Sequence, residues 1–108
     1  MNGSFEIREY VADGHSLFAK WFDGLDAVTA ARVDRYVRRL EAGNFGAAKS
    51  LRDGVFELRL DFGPGYRVYY ARAGRTIILL LGGGSKRRQD ADIAAAVACW
   101  HRYQQTKN

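Results

Sequence analysis

The sequence reads as a small α+β domain in the order β-α-α-β-β-β-α, with an antiparallel-rich sheet, a helical hairpin on one face and a C-terminal helix. Strict alternation over Val55–Phe62 is the first observation that predicts it: Phe56, Leu58, Leu60 and Phe62 point one way, and Val55, Glu57, Arg59 and Asp61 the other. Helical spacing of apolar residues over His15–Leu25 and Ala27–Ala42 is the second. The third is Gly63-Pro64-Gly65, which combines a fixed φ with a residue tolerant of φ > 0 and predicts a three-residue hairpin loop.

In chain order, Ser4–Val11 alternates Phe5 and Ile7 against Glu6, Arg8 and Tyr10, and reads as a first strand. Leu17, Phe18, Trp21, Phe22 and Leu25 then form the apolar face of a helix ended by Gly24. Asp26 is placed to cap a second helix, whose Ala30, Val33, Val37 and Leu40 make a buried stripe; Arg32, Arg35, Arg38 and Arg39 face elsewhere and read as a solvated surface. Gly43-Asn44 stops that helix, and Phe45–Gly54 reads as a connection with turn residues Gly46, Asp53 and Gly54.

The three-residue loop sets Phe62 opposite Tyr66, Asp61 opposite Arg67 and Arg59 opposite Tyr69, so Arg59, Arg67 and Tyr69 gather on the charged face. Thr76–Leu81 is continuously apolar, as expected of a strand buried on both faces, and ends in Gly82-Gly83-Gly84-Ser85 followed by Lys86-Arg87-Arg88. Asp90–Gln105 reads as a terminal helix lying beside the sheet, with Asp90 and Asp92 in its first turn, Ile93, Val97 and Trp100 on its apolar side, and Cys99 as a small buried residue. The charged sheet face is therefore expected to stay open and cationic, a surface on which a strand of RNA can lie.

Composition bounds the function. The 108 residues read as one domain, and a 47% hydrophobic content argues for a folded chain with its own core. Cys99 is the sole cysteine, so no internal disulfide forms and a reducing, cytoplasmic setting is expected. No apolar run is long enough for a membrane span, so no membrane partner is expected. Residues 1–48 hold six basic and seven acidic side chains, and residues 49–108 hold eleven and five, so the net +5 belongs to the half with the sheet. That excess suits a nucleic acid or an acidic protein partner.

His15 and His101 lack clustered Cys or His partners, so neither a metal site nor a cofactor is expected. The glycine run lacks the spacing of a phosphate-binding P-loop. What remains is a cationic group, Arg59, Arg67, Lys86, Arg87 and Arg88, with Glu57, Asp61, Tyr66 and Tyr69 close by. Such a set can hold a phosphodiester and stabilise the charge that develops when an RNA 2′-hydroxyl attacks it, without a metal. His101, Glu57, Lys86 or a tyrosine could act as acid or base, and Tyr66 and Tyr69 could stack on bases. Arg67→Ala is expected to abolish function and leave the fold intact.

Gly54–Trp100 resembles the addiction-module killer proteins, a HigB-like branch of the RelE/ParE toxin superfamily. The resemblance rests on Glu57-Leu58-Arg59, the G-P-G-Y-R-V-Y segment Gly63–Tyr69, the L-L-G-G-x-S-K segment ending at Lys86, and Gln89, Asp92 and Ile93 in a Q-x-x-D-I pattern. It implies a small RelE-like fold and a type II toxin–antitoxin toxin that cleaves mRNA on translating ribosomes. It also implies neutralisation by, and oligomerisation through, a HigA-like helix-turn-helix antitoxin. By position, Arg67 matches the arginine at the scissile phosphate, Arg59 a cationic position on the preceding strand, and Lys86-Arg87 the basic pair after the last strand. Where RelE places a catalytic tyrosine this chain has Ile93 or its neighbours, so the acid/base residue is missing or supplied elsewhere, which keeps open a ParE-like gyrase inhibitor and a plain nucleic-acid-binding module.

Overall fold

The computed structural model describes residues 4–106. It contains β1 (Glu6–Glu9), α1 (Leu17–Asp23), α2 (Ala27–Glu41), β2 (Ala48–Ser50), β3 (Val55–Arg59), β4 (Arg67–Ala73), β5 (Ile77–Gly84), a 3-10 turn (Lys86–Arg88) and α3 (Gln89–Thr106). The sheet order is β1-β5-β4-β3-β2, with β1 parallel to β5 and every other pair antiparallel. The expected α+β architecture, helical hairpin and terminal helix are all present.

The hairpin α1–α2 covers one sheet face. Ser16 caps α1, its Oγ accepting from the Ala19 N–H at 3.0 Å, and Gly24 closes it. Val33, Val37 and Leu40 of α2 pack with Phe18 against Leu58, Val68, Tyr70, Ile78 and Leu80. Outward, Arg38 pairs with Glu41 at 3.0 Å, while Arg32 lies over the Phe62 ring and Arg39 over Tyr36.

Four expectations need correction. The segment Phe45–Gly54 contains a strand, β2, which pairs Ala48 with Leu58 and Ser50 with Phe56 at the sheet edge. Three residues are too few to show a period of two. Its link to β3 is a tight turn in which Asp53 and Gly54 both take positive φ (56° and 89°), the geometry an Asp-Gly hairpin favours.

The β3–β4 register is the second. Arg59 opposes Arg67 and Glu57 opposes Tyr69, while the Leu60 N–H donates to the Tyr66 carbonyl at 3.0 Å. The loop is thus Asp61–Gly65, two residues longer than expected, because α2 captures its first two residues: Asp61 accepts from the Tyr36 hydroxyl, and the Phe62 ring lies against Tyr36, Tyr66 and Arg32. A shift of two keeps every side chain on its face, so Arg59, Arg67 and Tyr69 still share one.

Third, that face is covered. α3 packs Ala96, Val97, Cys99 and Trp100 over Val55, Tyr69, Ala71, Leu79 and Leu81, so the sheet lies between two helical layers. Fourth, Gly82–Gly84 belong to β5 and do not form a turn after it. Tyr70 pairs with Leu80 and Tyr69 with Gly82, leaving Leu81 as an extra residue, a bulge that inverts the facing of the glycines beyond it. Among the described residues no helix is long and apolar enough to cross a membrane.

Leu40 is fully buried in the hairpin layer, whereas Val28 on the same helix is 70% exposed. Urea unfolding is expected to show Leu40→Ala less stable by about 2–5 kcal/mol, the cost of a buried cavity, and Val28→Ala changed by no more than about 0.5 kcal/mol.

Candidate nucleic-acid site

Arg67 heads β4 opposite Arg59, yet the two side chains meet opposite fates. Arg59 is exposed and borders a shallow depression with Ala47, Leu60, Asp61, Phe62 and Gly63. Arg67 is only 6% exposed and lies beneath the start of α3 with Glu57, itself 2% exposed. Arg67 Nε approaches Glu57 Oε1 to 3.4 Å without hydrogen-bond geometry, and its Nη1 donates to the Gly65 carbonyl at 2.6 Å. Gln89 Nε2 donates to the same Glu57 oxygen at 2.9 Å. One buried carboxylate and one buried guanidinium thus link β3, β4, the 61–65 loop and the first residue of α3.

Tyr69 lies on the same covered face, fully buried, with its hydroxyl unpartnered. Burial, with the Glu57 carboxylate nearby, pushes its phenol well above the usual tyrosine range. In this arrangement it offers no ring face to a base. Tyr66 differs: half-buried, it meets Trp21 edge to face at 6.0 Å and Phe62 at 5.5 Å.

The cluster holds the 3-10 turn above it. Lys86, Arg87 and Arg88 are all exposed, and among the described residues none of them joins a salt bridge. The Lys86 N–H donates to the Pro64 carbonyl at 3.3 Å, and a Cβ on Gly65 would press on both Lys86 Cβ (3.1 Å) and Arg67 Nη1 (3.0 Å). The hairpin loop and the basic turn therefore touch directly.

Beside the turn, a groove of about 680 Å³ opens between α1 and α3 with Gly82–Ser85 as its floor. Leu17, Lys20 and Trp21 line one side; Tyr66, Arg88 and Asp92 line the rest with Ala91 and Ala95. A Cβ on Gly83 would overlap the Trp21 indole, and one on Gly84 would overlap the Asp92 carboxylate. Burial raises the Asp92 pKa above the usual aspartate value, against the lowering effect of Arg88.

The structure thus brings Lys86, Arg87, Arg88 and Tyr66 to one surface, sets Arg67 beneath it and leaves Arg59 beyond the loop. Of the acid–base candidates, Glu57 is committed to Arg67 and Gln89, and His101 lies 3.3 Å from Asp53, about 18 Å along α3 from Gln89. Asp92 and Trp21 line the groove without having been among the expected site residues, although Trp21 also packs against the core as its place on the apolar face of α1 predicts. Asp92 read as a helix-dipole charge and Trp21 as core; the signal for both was the glycine run, which marks a close approach to backbone. Among the described residues no group of three or more His, Cys, Asp or Glu side chains could hold a metal ion.

A mixed five-stranded sheet between a helical hairpin and a terminal helix, with a basic turn leading into that helix, is consistent with the small RelE-like α+β fold expected from the sequence. The model of the phage-derived Gp49-like proteins (DUF891) matches residues 20–102. An uncharacterised protein of Haemophilus influenzae is 45% identical over 80 residues, covering 73% of this chain and 81% of that protein. The chain belongs to the Gp49-like family, which is RelE/toxin-like, and its class is a toxin-like module of the toxin–antitoxin type.

The buried pair revises what Arg67→Ala should do. Removing one partner strands the other charge, so chemical denaturation is expected to show a loss of about 3–5 kcal/mol, not an intact fold. Replacing both residues (Glu57→Leu with Arg67→Met) removes both charges and should cost less than Arg67→Ala alone. An unchanged midpoint for Arg67→Ala would contradict the pairing.

Proposed function

We propose that the chain is the toxin of a type II toxin–antitoxin pair and acts as a HigB-like, metal-independent endonuclease on translated mRNA. The observation that carries this reading is the basic turn: among the described residues, three adjacent exposed cations without salt-bridge partners, fixed on a buried ion pair, with Arg88 also lining a groove that contains Tyr66. Lys86, Arg87 and Arg88 hold the phosphates on either side of the scissile bond. As the 2′-oxygen bonds to phosphorus and the bond to the 5′-oxygen breaks, these cations stabilise the added charge on the phosphoryl oxygens. Lys86 is the titratable group at the turn available to pass protons between the two oxygens. Arg67 positions the turn from below, and Arg59 extends the cationic track past the loop. A helix-turn-helix antitoxin that covers the turn would block the site and supply the oligomeric contacts, in the cytoplasm.

A gyrase inhibitor on the same fold is the second reading. It draws on Ile93, which packs with the apolar core under α3 where RelE enzymes have a tyrosine.

Induced expression in growing cells, with RNA 5′ ends and plasmid supercoiling followed together, separates the two. New 5′-hydroxyl ends inside translated messages with unchanged supercoiling are expected. Substituting Lys86, Arg87 and Arg88 together by Ala should lower cleavage on the order of a hundred-fold or more. Altered supercoiling with intact messages would move the protein to the gyrase class. Normal growth with neither change would overturn the toxin reading.

A further inference from the structure

Apart from Arg88, the lining of the groove between α1 and α3 takes no part in the phosphate chemistry just described, and it is unlike that of a packing defect. At its floor Gly82–Gly84 are three consecutive residues without side chains, flanked by Leu81 and Ser85. Its volume, about 680 Å³, lies within the range of small-ligand sites. Leu17 at its rim is 43% exposed although it belongs to the apolar face of α1. Trp21 and Tyr66 set two aromatic rings at 61° to one another, a corner into which a planar group can slide against one ring with its edge toward the other. Lys20 and Arg88 stand at the rim, and Asp92 is the one carboxylate in the lining. Arg88 belongs to the basic turn as well, and Ser85 leads into it, so the groove opens directly beside the turn.

We propose that the groove is a nucleobase pocket: one unstacked base of the bound RNA lies against Trp21 and Tyr66, and the Asp92 carboxylate accepts from its amino group. This rests on the reading of the basic turn as an RNA site. Stacking of splayed bases on aromatic side chains, with hydrogen bonds to the Watson–Crick edge, is how single-stranded RNA is commonly read. The carboxylate makes the pocket selective. Adenine, cytosine and guanine each present an exocyclic amino donor, whereas uracil flanks its single N–H with two carbonyl oxygens that a carboxylate repels. The pKa of Asp92, raised by burial, suits a group that awaits a donor in a partly dry site. An acidic or purely apolar peptide would leave Lys20 or Asp92 unmatched, which favours the nucleic acid as occupant.

The test uses Trp100→Phe as background, because Trp21 and Trp100 are the only tryptophans and Trp100 lies in the core under α3. Uncleavable 2′-O-methyl hexanucleotides of A, C or U, each carrying a 5′-fluorescein, are titrated with two readouts, dye anisotropy for binding and Trp21 emission for occupancy of the groove. The A and C oligomers are expected to change Trp21 emission and to bind on the order of ten-fold more tightly than U. Asp92→Ala, an exchange at a partly buried position of α3 whose folding circular dichroism checks, should bring A and U to equal affinity. Trp21→Ala should weaken all binding on the order of ten-fold. Binding of every oligomer with silent Trp21 emission would overturn the pocket, leaving the groove to a protein partner and the turn as an RNA site. Equal affinity for A and U in the unsubstituted groove would overturn the role of Asp92. No anisotropy change with any oligomer would mean that the RNA reading of the turn itself has failed.

Discussion

Taking a carboxylate and a guanidinium out of water costs several kcal/mol per charge, and only their pairing plus further hydrogen bonds offsets it. Glu57 and Arg67 meet that condition in part, through each other at 3.4 Å, the amide of Gln89 and the carbonyl of Gly65, while Arg67 Nε lacks a hydrogen bond. Those partners come from four different parts of the chain. The pair therefore keeps these partners only when α3 starts above the β3–β4 hairpin and the 61–65 loop folds back toward it. The electrostatic requirement and the apolar contacts of Val97, Cys99 and Trp100 with the sheet favour the same placement of α3.

The second constraint is an absence of side chains. The bulge at Leu81 turns Gly83 toward Trp21 and Gly84 toward Asp92, and neither approach tolerates a Cβ. One irregularity in one strand thus sets α1 and α3 at the two sides of a groove floored by backbone. The basic turn follows immediately, so cations, rings and a carboxylate lie along one continuous surface. On a chain whose positive charge sits in its second half, that is the surface proposed above for a single-stranded polyanion.

Much of this was legible in the sequence, and the failures have identifiable causes. Alternation in Val55–Phe62 assigned faces correctly, and because the register error was two residues those assignments held. The loop length did not show, since Tyr36 and Phe62 decide it from outside the hairpin. The open cationic face was wrong for a general reason: a strand face bearing Glu57 and Arg67 gives the same pattern whether the charges are solvated or buried against each other. α3 offered little to correct it, because alanines spread small residues around the helix and hide which side packs on the sheet. The exposed cations Lys86, Arg87 and Arg88 were legible as a group. Asp92 and Trp21 were not, since each has an ordinary structural explanation until the glycines opposite them are seen in three dimensions.

The central claim is that the buried pair fixes the basic turn, and amide hydrogen exchange tests it most directly. The comparison is between the native chain and the double variant Glu57→Leu with Arg67→Met, which is expected to stay folded and lacks the tether to Gln89. Faster exchange confined to residues 86–92 and the 61–65 loop, with α2 amides unchanged, is the predicted result. Equal protection of the turn in both proteins would contradict the account, because the turn would then hold its position without the pair.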